Sequence, residues 1–220
     1  VASRLGIMAM GLVDTVVVGR HSAAEVGYHT LAWAVTGVVL TTALGLLSGV
    51  QVMTSQAIGE GRDADTGAIL RRGVAYAFWI SLVAAGFLVL TGGPMLHAFG
   101  LAPALADGAT PVLQVQAASL VPILVADAGL FWLEAHGRAV PGTIAMWLAN
   151  IVNLVVNLWL VPGGNILGVE GAEASAWATF ASRLFLLLAL AVVILRWHRA
   201  RALGVMAPAP RDPMAARAMR

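Results

Sequence analysis

The chain has 220 residues, 60% of them hydrophobic and 11% charged, and a mean hydropathy of +0.86. That charged share is well under the roughly 25% of soluble domains, which excludes an ordinary water-soluble fold. The net charge is +2, all 13 basic residues are arginines, and no cysteine is present for a disulfide or a thiolate metal site. Read along the chain, apolar stretches of bilayer-crossing length, about 20 residues each, recur six times. The first ends near Gly19 and reads as a truncated helix; the others cover 30–57, 73–96, 109–135, 142–161 and 172–195. The expected fold is an all-α, polytopic membrane bundle: six transmembrane helices over 1–197, then a polar, Pro/Ala-rich cytoplasmic linker or tail over 198–220. A closed barrel is disfavoured, because its strands would alternate apolar and polar residues over about 10 positions.

The arginines report topology. Arg62, Arg71 and Arg72 flank the second loop, Arg138 sits in the fourth, and Arg196, Arg199 and Arg201 follow the sixth span. The first loop holds only Arg20, and the third and fifth hold none. By the positive-inside rule the basic side is cytoplasmic, so both ends are expected in the cytoplasm of an inner (plasma) membrane protein. The isoelectric point near 9.9 then follows from loop charge and implies no nucleic-acid partner.

Polar residues inside the spans carry the functional signal. Asp14, in "MAMGLVDTVVVGR", would cost about 2.5–3.5 kcal/mol to insert at a helix centre, and a carboxylate kept at that cost faces the bundle interior or a water-filled cavity. Desolvation penalises its charged form, which suits a group that takes up and releases a proton. Gly45 and Gly49 form a GxxxG step that allows close helix approach. Gln51 and Gln56 add polar groups toward the cytoplasmic end of the second span. Pro122 predicts a kink in the fourth span, where Asp127 and Glu134 share a face. Asp127 is the deeper of the two; Glu134 reads as an interface anchor beside Arg138. Pro141 marks the start of the fifth span.

That fifth span, "WLANIVNLVVNLWLV", places Asn150, Asn153 and Asn157 on one helical face, with Trp147 and three aliphatic residues covering much of the rest. Such amides either bond neighbouring helices, at about 0.6–2 kcal/mol each, or line a site. Arg183 in the sixth span needs an acid on another helix. The five histidines fall mostly in loops without ligand spacing, so no metal site is expected. No P-loop, dinucleotide-binding glycine motif or HExxH is present. No histidine is read mid-span to serve Ser48 of "LLSGV" as a base, so an enzyme is not expected.

Together these residues carry a family likeness. "MGLVDTVVVGR" and "GLLSGVQVMTSQAIGEGR" resemble the first two helices of the multidrug and toxic compound extrusion (MATE) transporters. "FWLEAHGR", "MWLANIVNLVVNLWLVPGG" and "GVEGAEASAWATFASR" extend the resemblance from about Met10 to Arg199. It implies the amino-terminal six-helix lobe of a twelve-helix, two-lobed transporter with a central cavity, and Asp14 as the ion-coupling carboxylate. The family's polar pair on the fifth helix falls on Asn153 and Asn157, and its threonine on the sixth on Thr179. Asn150, Gln56, Trp147 and Asp127 are the expected substrate-cavity residues. This chain has Asn157 where some members place a second aspartate, and Ala174 where glycine is expected.

The activity so implied is antiport: H+ (or Na+) entry drives export of amphipathic, often cationic, organic compounds. No cofactor beyond the coupling ion is expected. The expected partners are small organic substrates, the lipid bilayer, and a second lobe in the same chain or a second copy. Two alternatives are a flippase for lipid-linked precursors, which would need a cationic cavity, and a half-lobe that serves as a non-transporting membrane scaffold.

Overall fold

The computed structural model describes residues 2–166 and 168–206, with side chains described for residue 6 and from residue 8 onward. Seven helices follow one another: α1 (Ala2–His21), α2 (Ala23–Gly59), α3 (Thr66–Ala98), α4 (Pro103–Ala118), α5 (Leu120–Ala135), α6 (Ala139–Leu160) and α7 (Gly171–Arg196). A short 3-10 turn, Asp63–Asp65, links α2 to α3, and there is no strand among the described residues. Five segments are long and apolar enough to cross a membrane, with α4 and α5 counted together as Pro103–Ala135. The protein is a multi-pass helical membrane bundle.

The expected kink in the fourth span is a full break. Pro122 has no N–H for the carbonyl of Ala118, and its ring crowds that carbonyl. The helix stops at Ala118 and resumes at Leu120, with Ser119 between them at φ −71°, ψ −8°. The ends of α2 and α5 close at Gly61 and Gly137, both at φ 70°, the left-handed position that glycine reaches without strain.

Two apolar clusters hold the bundle. The larger joins α2, α3, α5, α6 and α7 around Leu47, Leu124, Trp132, Met146 and Leu190; the smaller gathers Val18, Ala32, Leu96, Leu113 and Ala176. In lipid the drive to associate comes from close packing, for which small residues are the means. Accordingly, α7 buries Gly171, Ala172, Ala174, Ser175, Ala176 and Ala178 in its first turns. The GxxxG step on α2 is a correction: a Cβ added at Gly45 or Gly49 would meet nothing within 4 Å. The reason is rotational. The buried stripe of α2 runs through Ala43, Leu47 and Val50, and the two glycines lie off it.

Residues 198–206, expected to begin a polar tail, fold back on the start of α3. Ala200, Leu203 and Val205 are buried, Gly67 N–H donates to the Leu203 carbonyl at 2.8 Å, and Arg71 Nη1 donates to the carbonyls of Gly204 and Val205. The three apolar side chains supply what the polar composition of the segment concealed. The remainder, 207–220, lies outside the described residues. An aromatic group completes this end. Trp132 Nε1 donates to the Thr66 carbonyl at 2.9 Å, His136 Nδ1 donates to the Trp132 carbonyl at 2.8 Å, and the Arg138 guanidinium lies 4.8 Å over the Trp197 ring. Burial pushes the His136 imidazole below its ordinary value.

A side chain at Gly67 would land on the backbone of Leu203–Val205. Gly67→Leu is therefore expected to detach residues 200–206 and free the backbone around the already exposed Arg199 and Arg201. Faster tryptic cleavage at these two arginines, read by mass spectrometry, is the check.

Candidate ion-coupling site

Asp14 lies on α1, two helical turns before its end, and is 2% exposed. Three helices converge on its carboxylate. From α6, Asn153 Nδ2 and Asn157 Nδ2 donate to Oδ1 at 3.0 and 2.8 Å; from α7, Thr179 Oγ1 donates to Oδ2 at 2.7 Å. Asn153 Nδ2 also lies 3.4 Å from Thr179 Oγ1, and Asn157 Nδ2 reaches back to the Asn153 carbonyl at 3.0 Å. The i, i+4 spacing of the two amides puts them one above the other on the α6 face that meets α1. Burial works against the charge on Asp14, and three neutral donors work for it.

A cation sits beyond this shell. Arg183, one turn after Thr179 on α7, is buried and lies within electrostatic reach of both Asp14 and Asp127. Its Nη1 donates to Ser119 Oγ at 2.6 Å, and Ser119 Oγ donates to the Gln116 carbonyl at 2.6 Å. The residue in the α4–α5 break thus holds the guanidinium. A cavity of about 20 Å³ bounded by Asp14, Thr179, Arg183 and Gln116 separates acid from base, room for about one water. No group of three or more potential metal ligands occurs among the described residues.

A much larger groove, about 860 Å³, runs between α1 and α2, with Met8, Gly11, Thr15, His29, Trp33 and Thr41 among its lining residues. Its wall is mostly apolar. The Trp33 indole lies against Gly11 and Gly37, where an added Cβ would come 3.7 and 3.6 Å from the ring.

The structure gathers Asp14, Asn153, Asn157 and Thr179 into one hydrogen-bonded cluster. It does not gather the four expected cavity residues, none of which lines the groove. Asn150 is buried and donates to the Met146 carbonyl of its own helix at 2.9 Å. Asp127 is buried on α5, within reach of Arg183. Gln56 is exposed near the end of α2, and Trp147 is 46% exposed on the outer face of α6. Periodicity placed these residues on faces without showing which face the groove adjoins. Sequence reasoning also missed His29, which is 2% exposed inside α2 and borders the groove. Its signal was the stripe His29, Ala32, Thr36, Leu40, Ala43 and Leu47, which starts one residue before the expected span.

Residues 1–159 match the MatE family model. A probable multidrug resistance protein NorM of Caulobacter vibrioides is 50% identical over 214 residues, which span 96% of this chain and 45% of that protein. A second probable NorM, from Synechocystis, is 27% identical over 198 residues, 87% of this chain and 41% of the relative. Among solved structures, the eukaryotic MATE transporter AtDTX14 superposes with a TM-score of 0.85 at 15% identity, over 99% of this chain and 47% of that one. The chain spans about half the length of the curated relatives it matches.

Proposed function

The chain belongs to the MatE family, and from that premise we propose that it forms one lobe of an ion-coupled exporter of amphipathic organic compounds, with a proton on Asp14 as the coupling event. The observation that carries this reading is the enclosure of a single carboxylate by three side-chain donors from two other helices. When Asp14 is ionised, all three donors are used. Protonated, it becomes a donor that needs an acceptor.

Asn153 Oδ1 and Asn157 Oδ1 are both buried without a hydrogen-bond partner. A half-turn of either amide would offer that oxygen to the Asp14 hydroxyl and withdraw an N–H from it. The same four side chains then have two bonding patterns, one for each protonation state. Switching between them changes how α1 is held against α6 and α7. Two discrete arrangements biased by a proton are what coupling requires.

The groove supplies the substrate wall in this reading. Apolar contact and the Trp33 ring face suit planar organic cations. Among the described residues no arginine lines it, and the buried Arg183 borders the one-water cavity instead, which speaks against a cationic cradle for a lipid pyrophosphate. Aspartate is the sole acid of the cluster, which favours a proton over sodium as the coupling ion. The cytoplasmic placement of both ends, in an inner membrane, belongs to the same proposal and rests on the arginine asymmetry.

The test is ethidium accumulation in cells that lack their own exporters. Production of the full-length protein is expected to lower intracellular ethidium fluorescence, and dissipation of the proton gradient to reverse this. An unchanged ethidium level in energised cells would overturn the efflux reading; reversal on sodium removal alone would overturn proton coupling.

A further inference from the structure

Asp14 does not border the 860 Å³ groove, and His29 does. A proton in the groove is therefore in direct reach of His29 and not of the carboxylate, which borders the small cavity behind Gly11 and Trp33. Of the groove residues, His29 is the one that carries an imidazole, a side chain able to take up and release a proton. A single extended residue, Ser22, joins α1 to α2 as a hairpin. Asp14 precedes it by about two turns and His29 follows it by about two turns, which sets the pair at one depth. The charge that acts at His29 is that of Asp14. Other titratable groups lie on α2 and on the elements packed against it: Glu25 on α2, Arg20 and His21 on α1, Asp63 and Asp65 in the 3-10 turn, Arg71, Arg72 and His97 on α3, Asp107 on α4, Asp127 and Glu134 on α5, and Glu173, Arg183 and Arg196 on α7. None of these acts on the imidazole as Asp14 does.

Buried imidazole nitrogens usually have partners. His29 Nδ1 has none, although the ring is enclosed on α2 and borders open space. His136 spends its Nδ1 on the Trp132 carbonyl, with its Nε2 left unpartnered; His29 differs in that it also borders the groove. We propose that His29 is the proton relay between the groove and Asp14, an inference that rests on Asp14 as the proton-binding group. One ring nitrogen takes a proton from solvent in the groove. The imidazolium gives up the proton on its other nitrogen, which passes to an Asp14 carboxylate oxygen, and neutral imidazole and neutral carboxylic acid result. No direct hydrogen bond joins the two side chains among the described residues, so the hand-off needs a bridging water or a turn of the ring. Release runs the same steps in reverse. Under the arginine-based topology the hairpin lies on the non-cytoplasmic side, the side from which an inward proton gradient delivers.

The experiment follows the carbonyl stretch of the protonated acid by infrared spectroscopy after an acid pH jump, on the full-length protein in lipid nanodiscs. Loss of the band in Asp14→Asn assigns it. The His29→Gln variant is expected to slow the appearance of the band by about a hundredfold, in the range of positioned acid–base groups, with its final amplitude retained. In His29→Gly, added imidazole is expected to restore the rate, which a merely structural histidine would not allow. Reading both variants lets one decide if the other folds poorly. An unchanged rate in His29→Gln, or a slow rate in His29→Gly that imidazole leaves slow, would overturn the relay and leave Asp14 standing. Absence of any band that Asp14→Asn removes would overturn the Asp14 reading, and the relay with it.

Discussion

Asp14→Asn is expected to reduce ion-coupled export to background while the protein stays folded. The replacement amide fills the same volume. Its oxygen can accept from Asn153 and Asn157 as Oδ1 does now. Its nitrogen would face Thr179 Oγ1, a hydroxyl that can turn and accept. The two asparagine donors keep their acceptor, while the second amide N–H and the freed Thr179 O–H need new ones, so the stability cost is expected at about 1–3 kcal/mol, that of a stranded buried donor. What disappears is the ability to alternate between charged and neutral forms. Asp14→Ala differs in kind. It strands three buried donors at about 1–3 kcal/mol each, and is expected to lower thermal stability as well as transport. Proton-gradient-driven ethidium export from proteoliposomes, beside thermal unfolding of the same preparations, separates the two effects. Gradient-dependent export by folded Asp14→Asn would remove the carboxylate from the mechanism.

Arg183→Met is expected to destabilise the bundle by about 3–5 kcal/mol, the cost of withdrawing one partner from a buried charge arrangement. Methionine can fill the apolar part of the space, but Asp14 and Asp127 would lose the cation that acts on both. Ser119 Oγ would lose its donor at 2.6 Å. The double variant Arg183→Met with Asp127→Asn should recover part of the loss, because one of the two acids no longer carries charge; coupled sites of this kind depart from additivity by about 0.5–3 kcal/mol. Thermal unfolding of the four members of this cycle in one detergent measures the coupling. Additive losses would show that Arg183 and Asp127 do not act on each other.

The polar cluster was legible because hydrocarbon makes polar side chains conspicuous. One acid on α1, amides at i, i+4 on α6 and a threonine among the small residues of α7 each stood out against an apolar background, and the family resemblance joined them. Arg183 stood out for the same reason, and its need of an acid was foreseen, though Ser119 in the helix break was not. Gln56 and Trp147 lie apart from the cluster and from the groove between α1 and α2. A helical period identifies a face, but which helix that face meets depends on long-range packing that a single sequence does not spell out. His29 was lost at a boundary. The hydropathy signal of α2 starts at residue 30, whereas its hydrogen-bonded helix starts at Ala23, because glutamate and histidine depress hydropathy without hindering helix formation. Gly45 and Gly49 illustrate the converse, a motif whose residue types fit an interface and whose rotation turns it away from every neighbour in the lobe.

The fold-back of residues 198–206 bears on how the lobe is made. A chain leaving the ribosome presents α3 long before Leu203 and Val205 exist, at about 5–20 residues per second. During that interval Gly67 N–H and the Arg71 side chain, both near the membrane surface, lack the carbonyls they later bond. The start of α3 and the end of α5 are therefore sealed last, by the final residues of the segment to be synthesised. Synthesis halted before residue 200 would leave α1 to α7 with an unlatched surface, a natural target for quality-control proteases. Assembly of this lobe is thus timed from its carboxyl-terminal end.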